Sequence, residues 1–168
     1  MSVASAIVGT PLGPLRLEST GAGLCSAQFV QPLSSATPLP AVTPALQVPD
    51  CLREAYRQLQ AYFGRELRHF TLTTDVSVGT VFQQRVWATL PGVRFGCTAS
   101  YLDIARQLNS PGAVRAVGAA NGRNPLAIVW PCHRIIGAGG QLTGYAGGLS
   151  RKQWLLAFEQ PLLQTSLF

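Results

Sequence analysis

The chain has 168 residues, enough for one ordinary domain or for two small domains that share an interface. Its 47% hydrophobic content excludes overall disorder, and its apolar runs are much shorter than the roughly 20 residues that span a bilayer. The first residues lack a basic start followed by an apolar block, so we expect no secretory signal and no membrane association. Residues 79–168 hold eight cations and two acids, whereas residues 1–78 are neutral, so the whole net charge of +6 lies in the second half. This asymmetry favours a polyanion such as nucleic acid as partner, although a general solubility bias produces the same count.

The four cysteines are scattered, and no two of them form a Cys-x-x-Cys pair; they are Cys25, Cys51, Cys97 and Cys132. This spacing argues against a zinc site and against a dense disulfide framework. It indicates a reducing compartment, and we expect a cytoplasmic protein without bound metal or other cofactor.

The N-terminal half begins with two β-rich runs, IVGTPLGPLRLEST and GLCSAQFV, which predict a strand meander. Residues 31–50 carry five of the twelve prolines and predict an extended surface loop. The stretch DCLREAYRQLQAYFGREL then repeats apolar residues at helical spacing, with Asp50 as N-cap and Gly64 as stop. We place a domain boundary near Gly79. It separates an α/β domain at residues 1–78 from a C-terminal domain at 79–168.

Three helices follow the predicted boundary. Thr80 is a suitable N-cap for VFQQRVWATL, and the Ser-x-x-Asp pattern at residues 100–103 is a capping box that opens the next helix. Ser110 as N-cap and Pro111 at the first helical position predict the start of the third, PGAVRAVGAAN. The last two helices lie in the basic half and are joined by a tight turn. A helix-turn-helix and a helical hairpin packed in the core are equally compatible with this pattern.

The third helix consists almost wholly of Ala, Gly and Val, and Arg115 is its only charged residue. Small side chains let a helix backbone approach a nucleic-acid groove closely. A helix that reads base edges normally presents several polar side chains, so this composition disfavours sequence-specific readout.

The segment after these helices surrounds the only Cys-His neighbours in the chain. The run LAIVW, residues 126–130, predicts a buried strand that ends at Pro131, directly before Cys132 and His133. The stretch GAGGQLTGYAGG then has six glycines in twelve residues, a composition that lets backbone amides crowd a ligand. Ser150 is a suitable N-cap for a final helix, RKQWLLAFE.

A lone cysteine is usually a small core residue, but the surroundings of Cys132 favour chemistry. It follows a predicted strand end, precedes a pocket-forming loop, and has two neighbours, His133 and Arg134, that can favour the thiolate. Neighbouring side chains diverge, so direct contact between Cys132 and His133 requires a turn, whereas one water molecule could relay the proton. Such a histidine needs an orienting carboxylate, and Glu159 is a better candidate than Asp103. For Arg134, we favour an internal ion pair over a phosphate contact.

These pieces occur in the same order in one known family. The chain resembles the O6-alkylguanine-DNA alkyltransferases, which repair DNA by direct reversal, in TPLGPL, AYFGREL, FQQRVWATL, SYLDIA, RAVGAANGRNP, PCHRIIG, LTGYAGG and RKQWLLAFE. The resemblance implies an α/β (α+β) fold, with an N-terminal ribonuclease-H-like small sheet-plus-helix domain and a mostly helical, winged-helix-like helix-turn-helix domain. It implies a monomer that flips O6-alkylguanine, and also O4-alkylthymine, out of double-stranded DNA. The alkyl group then moves irreversibly to the protein's own cysteine, once per molecule.

The resemblance also implies catalytic roles. Cys132 would accept the alkyl group, activated through water by His133, which Glu159 orients. Asn124 would be the hinge that ties the recognition helix to the active-site segment. Tyr101 would hydrogen-bond the flipped base and protonate the departing guanine.

For DNA binding, the resemblance implies that Arg115 fills the space left by the flipped nucleotide, with the helix-turn-helix in the minor groove. Further DNA contacts are assigned to Tyr101, Ser100, Ala116, Gly118, Asn121 and Arg123. In the base pocket, Tyr145 would form a wall, the Ala146 amide would face O6, and the carbonyls of Cys132 and Ile135 would accept from the guanine amino group. Gly144 and Trp130 complete the expected pocket.

Three residues depart from the family pattern: Arg94, Trp130 and Ala146. Two alternatives to repair stay open at this point. An alkyltransferase-like protein that only binds lesions would lack the acceptor cysteine, and a helix-turn-helix regulator would carry a polar recognition helix.

Overall fold

A computed structural model of the protein describes residues 2–161. The N-terminal part forms an antiparallel sheet of three sequential strands: β1 (Ala4–Val8), β2 (Leu15–Ser19) and β3 (Leu24–Phe29). In β2 the side chains of Leu15 and Leu17 are buried and that of Arg16 is exposed, because alternate residues face opposite sides of a strand. The predicted meander is confirmed.

One face of the sheet is covered by α1 (Asp50–Phe63), whose residues Leu52, Leu59 and Tyr62 are fully buried. Gly64 ends the helix as predicted, but Asp50 is its first residue and Pro49 is the N-cap. The proline-rich stretch before it contains one short 3₁₀ turn, Ala45–Gln47, and otherwise no helix or strand, as expected of a surface loop.

The C-terminal part is mostly helical. It contains α2 (Val81–Thr89), a 3₁₀ turn (Leu90–Gly92), the short strand β4 (Ala99–Ser100), α3 (Tyr101–Gln107) and α4 (Val114–Gly122). The predicted capping box of Ser100 and Asp103 is present at the start of α3, and Thr80 is the N-cap of α2 as predicted. Thr80 also pairs reciprocally with Gln83, so α2 begins with a capping box as well. The indole of Trp87 on α2 donates to the carbonyl of Ala120 in α4 at 2.8 Å, which fixes the two helices together.

The predicted start of α4 is wrong by three residues. Its N-cap is Ala113, and neither Ser110 nor Pro111 belongs to it. The backbone reverses at Asn109, which has a φ of 55°, and the Ser110 amide bonds back to the Ala105 carbonyl at 2.9 Å. Ser110 therefore still closes α3, and the turn at residues 110–113 intervenes before α4 begins.

The prediction of a strand at residues 126–130 is also wrong, although Leu126 and Ile128 are fully buried. Leu126 makes a single bridge to Ala27, after which the chain turns, and Ile128 has a φ of 70°. The Asn124 side chain causes this compact course: it accepts from the Leu126 amide at 3.0 Å and donates to the Trp130 carbonyl at 2.7 Å. The Asn124 side chain thus satisfies backbone groups of residues 126–130 that would otherwise pair with a neighbouring strand.

The last elements are a 3₁₀ turn at Cys132–Arg134, β5 (Ile135–Ile136), which pairs in parallel with β4, and α5 (Leu149–Glu159). The N-cap of α5 is Gly148, with a φ of 92°, so the prediction of Ser150 as N-cap is wrong. The conformation at Gly148 favours glycine and turns the chain from the glycine-rich loop into the helix.

The apolar residues form two core clusters. The first joins the sheet and α1 to Leu126, Ile128, Val129 and Leu155, and the second joins α2, α3 and α4 to Cys132 and Ile135. The Cys132–Arg134 turn therefore lies where the two clusters meet. Within residues 2–161, no helix is both long and apolar enough to cross a membrane.

Candidate active site

Cys132 lines a small cavity of about 20 Å³, which has room for roughly one water molecule. Its side chain is buried, with 5% of the residue exposed. The cavity is lined by Gln28, Phe29, Asn121, Asn124, Ala127, Cys132, Tyr145, Ala146 and Gly147. The sequence-predicted Cys132, Asn124, Tyr145 and Ala146 are thus brought together, and Asn121 joins them.

The neighbours Cys132 and His133 occupy a 3₁₀ turn, which directs the imidazole into the protein interior. His133 is fully buried, and its Nε2 lies 2.8 Å from Oε1 of Glu159. Its Nδ1 is buried and has no hydrogen-bond partner among residues 2–161. With Nε2 donating to the carboxylate, Nδ1 is the ring atom that can accept a proton.

Glu159 is the centre of the buried polar network, as its predicted orienting role requires. Its carboxylate accepts from Arg134 Nε at 2.8 Å and from Arg134 Nη2 at 2.9 Å, in addition to His133. Tyr62 Oη also donates to Oε1 at 2.7 Å. Arg134 gives its remaining contact to the Val93 carbonyl at 2.6 Å, which confirms the internal role expected for it.

Burial raises the pKa of the Cys132 thiol to about 11, against the opposing effects of a hydrogen bond from Asn124 and the charge of Lys152. Burial likewise lowers the pKa of His133, so the imidazole is neutral at pH 7. Burial also raises the pKa of Glu159, but hydrogen bonds from His133 and Arg134 outweigh it and bring the pKa to about 2. The resting site is therefore a neutral thiol, a neutral imidazole and a carboxylate. The expected thiolate stabilisation by His133 and Arg134 is absent because both side chains face Glu159.

Lys152 is a buried cation that the sequence analysis missed. Its Nζ donates to the carbonyls of Ile135 at 2.6 Å and Thr143 at 3.0 Å, and it lies 3.4 Å from the phenol oxygen of Tyr101. A signal was present in the sequence, because Lys152, Leu155 and Glu159 are spaced three and four apart and share one face of α5. The apolar Leu155 shows that this face is buried.

Two aromatic side chains border the glycine-rich loop. Tyr101 at the start of α3 is half-buried and donates to the Thr143 carbonyl at 2.9 Å. Tyr145 lines the Cys132 cavity, and its hydroxyl is buried without a partner among the described residues. A buried hydroxyl beside a cavity is available to a polar ligand.

Asn121 and Asn124 connect α4 to the cysteine turn. Asn121 donates to the Cys132 carbonyl at 3.2 Å, and its Oδ1 has no partner within residues 2–161. It was predicted as a DNA contact, but the structure places it in the cavity wall. Asn124 shapes the 126–130 segment as described above, and its carbonyl accepts from Gln28 at 3.0 Å.

The other residues predicted to contact DNA lie outside this cavity. Arg115 and Ala116 are exposed on α4, and Arg123 is exposed at its end. Gly118 faces Tyr101, since a Cβ there would lie 3.8 Å from its ring. Ser100 uses its side chain in the capping box of α3.

Three residues expected in the base pocket are absent from the cavity lining at Cys132. Ile135 is buried next to it, with its carbonyl bonded to Lys152, and Gly144 is exposed in the glycine-rich loop. Trp130 stacks on Trp87, with ring centroids 6.1 Å apart, and lines a separate cavity with Arg68, His69 and Arg134.

The N-terminal half supplies three groups that sequence reasoning did not find: Gln28, Phe29 and Tyr62. Strand alternation and helical spacing mark Phe29 and Tyr62 as core residues, but neither pattern shows which part of the chain they contact. Within residues 2–161, no group of three or more His, Cys, Asp or Glu side chains could hold a metal ion.

The sequence matches the family described as "6-O-methylguanine DNA methyltransferase, DNA binding domain" over residues 81–161. It is 48% identical over 158 residues to the methylated-DNA–protein-cysteine methyltransferase of Mycobacterium leprae, covering 94% of this chain and 93% of that protein. The protein of the same name from Methanosarcina acetivorans is 42% identical, with 92% and 96% covered.

The fold matches that of Mycobacterium tuberculosis OGT in complex with DNA, at a TM-score of 0.78 and 45% identity, over 92% of this chain and 91% of that one. The M. tuberculosis O6-methylguanine methyltransferase gives a TM-score of 0.79 at 43% identity, with 99% of each chain covered. The predicted α+β fold class is thereby confirmed. The chain belongs to the methylated-DNA–protein-cysteine methyltransferase family.

Proposed function

We propose that this protein repairs DNA by direct reversal: it takes O6-alkylguanine out of duplex DNA and moves the alkyl group to its own Cys132. The observation that carries the proposal is that Cys132 lines a cavity and that the next residue of its turn, His133, forms a buried pair with Glu159 of α5. Family membership supplies the reaction class, since the relatives are named methylated-DNA–protein-cysteine methyltransferases.

DNA binding is the first step. The net charge of +6, all of it in residues 79–168, favours a phosphate backbone as partner. In the proposed complex α4 lies in the minor groove, where its small side chains permit close approach and where Arg115 is exposed. An alkyl group on O6 lies within the base stack, so the base must leave the duplex, at a cost of a few kcal/mol that is smaller for a damaged pair.

The transfer itself requires a proton path, because the pKa of the buried thiol is about 11. The thiol proton passes through one water molecule to Nδ1 of neutral His133, while Nε2 keeps its proton in the bond to Glu159. The sulfur electron pair then forms a bond to the alkyl carbon, and the bond from that carbon to O6 breaks with its electrons going to the base.

The departing guanine takes up a proton, which Tyr101 donates in this proposal. Lys152 Nζ donates a hydrogen bond to that phenol oxygen at 3.4 Å. The products are a thioether at Cys132 and an unmodified guanine. A thioether has no easy route back to a thiol, so each molecule acts once.

The base pocket is proposed from the residues that line the Cys132 cavity and from the roles that the family resemblance implies. Tyr145 and Ala146 line the cavity, and in the proposal the Ala146 amide faces O6 while the Cys132 and Ile135 carbonyls accept from the amino group. Trp130 and Gly144 stay proposed neighbours of the base. DNA contacts are proposed for Ser100, Tyr101, Ala116, Gly118, Asn121 and Arg123.

Neither alternative is favoured. A lesion binder without chemistry does not need a cysteine with a histidine–carboxylate pair, and α4 lacks the polar side chains of a regulator. We further propose that the chain acts as a monomer, divided near Gly79, and that it acts in the cytoplasm, where its four free thiols stay reduced.

Mass spectrometry after incubation with O6-methylguanine DNA tests the proposal. We expect one methyl group on the peptide that contains Cys132, no transfer by Cys132→Ser, and retained lesion binding by that variant. Cys97→Ser is the matched control, since Cys97 is exposed and outside the cavity, and it should react like the wild type. Methyl transfer by Cys132→Ser, or a methyl group on another cysteine, would show that the acceptor is wrong.

A further inference from the structure

The hydroxyl of Tyr62 reaches the catalytic network from the other half of the chain. Tyr62 lies in the last turn of α1, 97 residues before Glu159, and its Oη donates to Oε1 of Glu159 at 2.7 Å. Its side chain is fully buried. The contact therefore occurs without competition from solvent.

The ring of Tyr62 is held in place by aromatic neighbours on several sides. Its centroid lies 5.1 Å from that of Phe63, 5.5 Å from those of Phe70 and Phe158, and 6.0 Å from that of Phe95. A ring packed in this way has little freedom to move its hydroxyl. Tyr62 can therefore fix the position of the carboxylate it contacts.

The oxygen that Tyr62 contacts is the one that His133 uses. Oε1 of Glu159 accepts from Tyr62 Oη at 2.7 Å, His133 Nε2 at 2.8 Å and Arg134 Nη2 at 2.9 Å. Oε2 accepts from Arg134 Nε at 2.8 Å and, more weakly, from the Gly96 amide at 3.4 Å. The negative charge at Oε1 is thus divided among three donors, and the share left to His133 depends on the other two.

We propose that Tyr62 is a positioning residue for alkyl transfer, whose hydroxyl holds Glu159 against His133 and limits the basicity of that histidine. This inference rests on the proposed function, in which His133 accepts the thiol proton. It assigns the N-terminal half a part in the chemistry, because the residue that adjusts the proton acceptor lies in α1.

Other charged and titratable groups also face this pair. Burial, followed by the negative charge of Glu159, raises the pKa of Tyr62, so its phenol stays protonated and acts as a donor. Positive charge on Arg134 and Lys152 lowers the pKa of His133. Further neighbours are Cys132 and Tyr145 at the Cys132 cavity, and Arg65, Arg68 and Cys97, which line another cavity with Glu159. Tyr62→Phe leaves all of these in place.

Removal of the Tyr62 hydroxyl should change the pKa of His133 in one defined direction. With one donor fewer, Oε1 concentrates more negative charge on His133, and the pKa of the imidazole rises. Neutral His133 is the form that accepts the thiol proton, so the acid limb of the rate profile moves to higher pH, by about 0.5 to 1. The less restrained carboxylate also lowers the plateau rate, by roughly tenfold.

The experiment compares Tyr62→Phe with Tyr56→Phe. Tyr56 lies on the same helix and is also buried, but its hydroxyl donates to the Thr43 carbonyl, away from the site. Single-turnover methyl transfer from O6-methylguanine DNA is measured against pH, together with DNA affinity and Tm. We expect the acid limb of the pH–rate profile to move to higher pH, and the plateau rate of transfer to fall, in Tyr62→Phe alone. DNA affinity should be unchanged in both variants.

Histidine NMR supplies a measurement that needs no DNA and no reaction. The chain has two histidines, so the signal of His133 can be followed beside that of His69. The titration midpoint of His133 should rise in Tyr62→Phe and stay unchanged in Tyr56→Phe. In the wild-type protein, the Cζ shift of Tyr62 should follow the titration of His133, whereas that of Tyr56 should not; this holds even if Tyr62→Phe fails to fold.

The outcomes separate the two proposals. A wild-type protein that transfers no methyl group refutes the proposed function, whatever the variants do. If the wild type transfers methyl while both variants behave alike and the Tyr62 signal ignores His133, then only the role of Tyr62 is wrong.

Discussion

The two halves of the molecule differ in where their ionisable side chains lie: on the surface in the N-terminal half, and partly in the interior in the C-terminal half. In the N-terminal half, ion pairs such as Arg57–Glu54 lie on the surface with both side chains more than half exposed. Among residues 2–161, every buried Asp, Glu, His, Lys or Arg lies in the C-terminal half; they are His133, Arg134, Lys152 and Glu159. Buried charges must be paired or hydrogen-bonded, and here their partners include one another and the backbone carbonyls of Val93, Ile135 and Thr143.

Two carboxylates show what this difference teaches. A hydrogen bond from Arg57 lowers the pKa of Glu54 to about 2, and the pKa of Glu159 also falls to about 2. Glu54 lies on the surface of α1, where water screens the pair and the contact adds little. Glu159 is buried with five hydrogen-bond donors around it. The shifted pKa alone therefore does not mark a functional site; burial beside a reactive group does.

The largest expected effect is the difference between neutralising Glu159 and neutralising Glu54. Glu159→Gln leaves Arg134 buried without a counter-charge, so we expect a loss of about 3–5 kcal/mol in the free energy of unfolding. Transfer should slow by about 10²- to 10⁴-fold, the usual contribution of a general base, because Glu159 orients the base His133. Glu54→Gln, the matched change on α1, should leave both quantities unchanged. Denaturant titration and single-turnover kinetics measure them, and equal effects of the two substitutions would contradict the comparison.

A smaller effect is expected from the surface cations of the two halves. Arg115→Ala should slow repair of duplex DNA by about tenfold, the loss expected of one cationic contact, and should change the reaction with free O6-benzylguanine much less. Arg53→Ala on α1 removes another exposed arginine, one that pairs with Asp50 in the neutral half, and should change neither rate. Equal losses on duplex and free base would show that Arg115 has no part in base extrusion.

The smallest expected effect is the pH dependence of stability. Because the pKa of His133 is lowered in the folded state, folding loses stability as pH falls below the ordinary value of 6.5, by about 1 kcal/mol between pH 7 and 5.5. Glu159 adds a second loss as pH falls from 4.5 towards 2. Thermal unfolding against pH should show both, and Glu54→Gln should keep the same curve between pH 7 and 5.5, above the range in which Glu54 titrates. A flat curve from pH 7 to 5.5 would contradict the buried neutral state of His133.

Short sequence patterns predicted structure correctly where the contacts involved join residues that are close in sequence. The capping boxes at Thr80 and Ser100 are contacts between residues three apart, and both are present. Ser110 and Ser150 have the right residue type for a cap, but the first closes the preceding helix and the second follows a glycine that already turns the chain. Residue type alone does not reveal these competing uses of the backbone.

Longer-range features were only partly predictable. Glu159 could be assigned to His133 because the C-terminal half has one other acid, Asp103. Tyr62 and Gln28 gave no such signal: Tyr56 is a second buried tyrosine at core spacing on the same helix, and the sequence does not distinguish Gln28 from the other glutamines of the N-terminal half. The 126–130 segment has the composition of a strand, yet the side chain of Asn124 satisfies the backbone groups that a neighbouring strand would otherwise pair.

The hydrogen bond from Trp87 to the carbonyl of Ala120 gives the molecule an internal optical probe. Indole emission responds to the loss or strengthening of such a bond, and Ala120 lies in the last turns of α4. Any displacement of α4 by a bound duplex would therefore change the fluorescence of Trp87 without an added dye. Trp154 stacks on Phe158 in the aromatic cluster around Tyr62, away from α4, and supplies a reference signal.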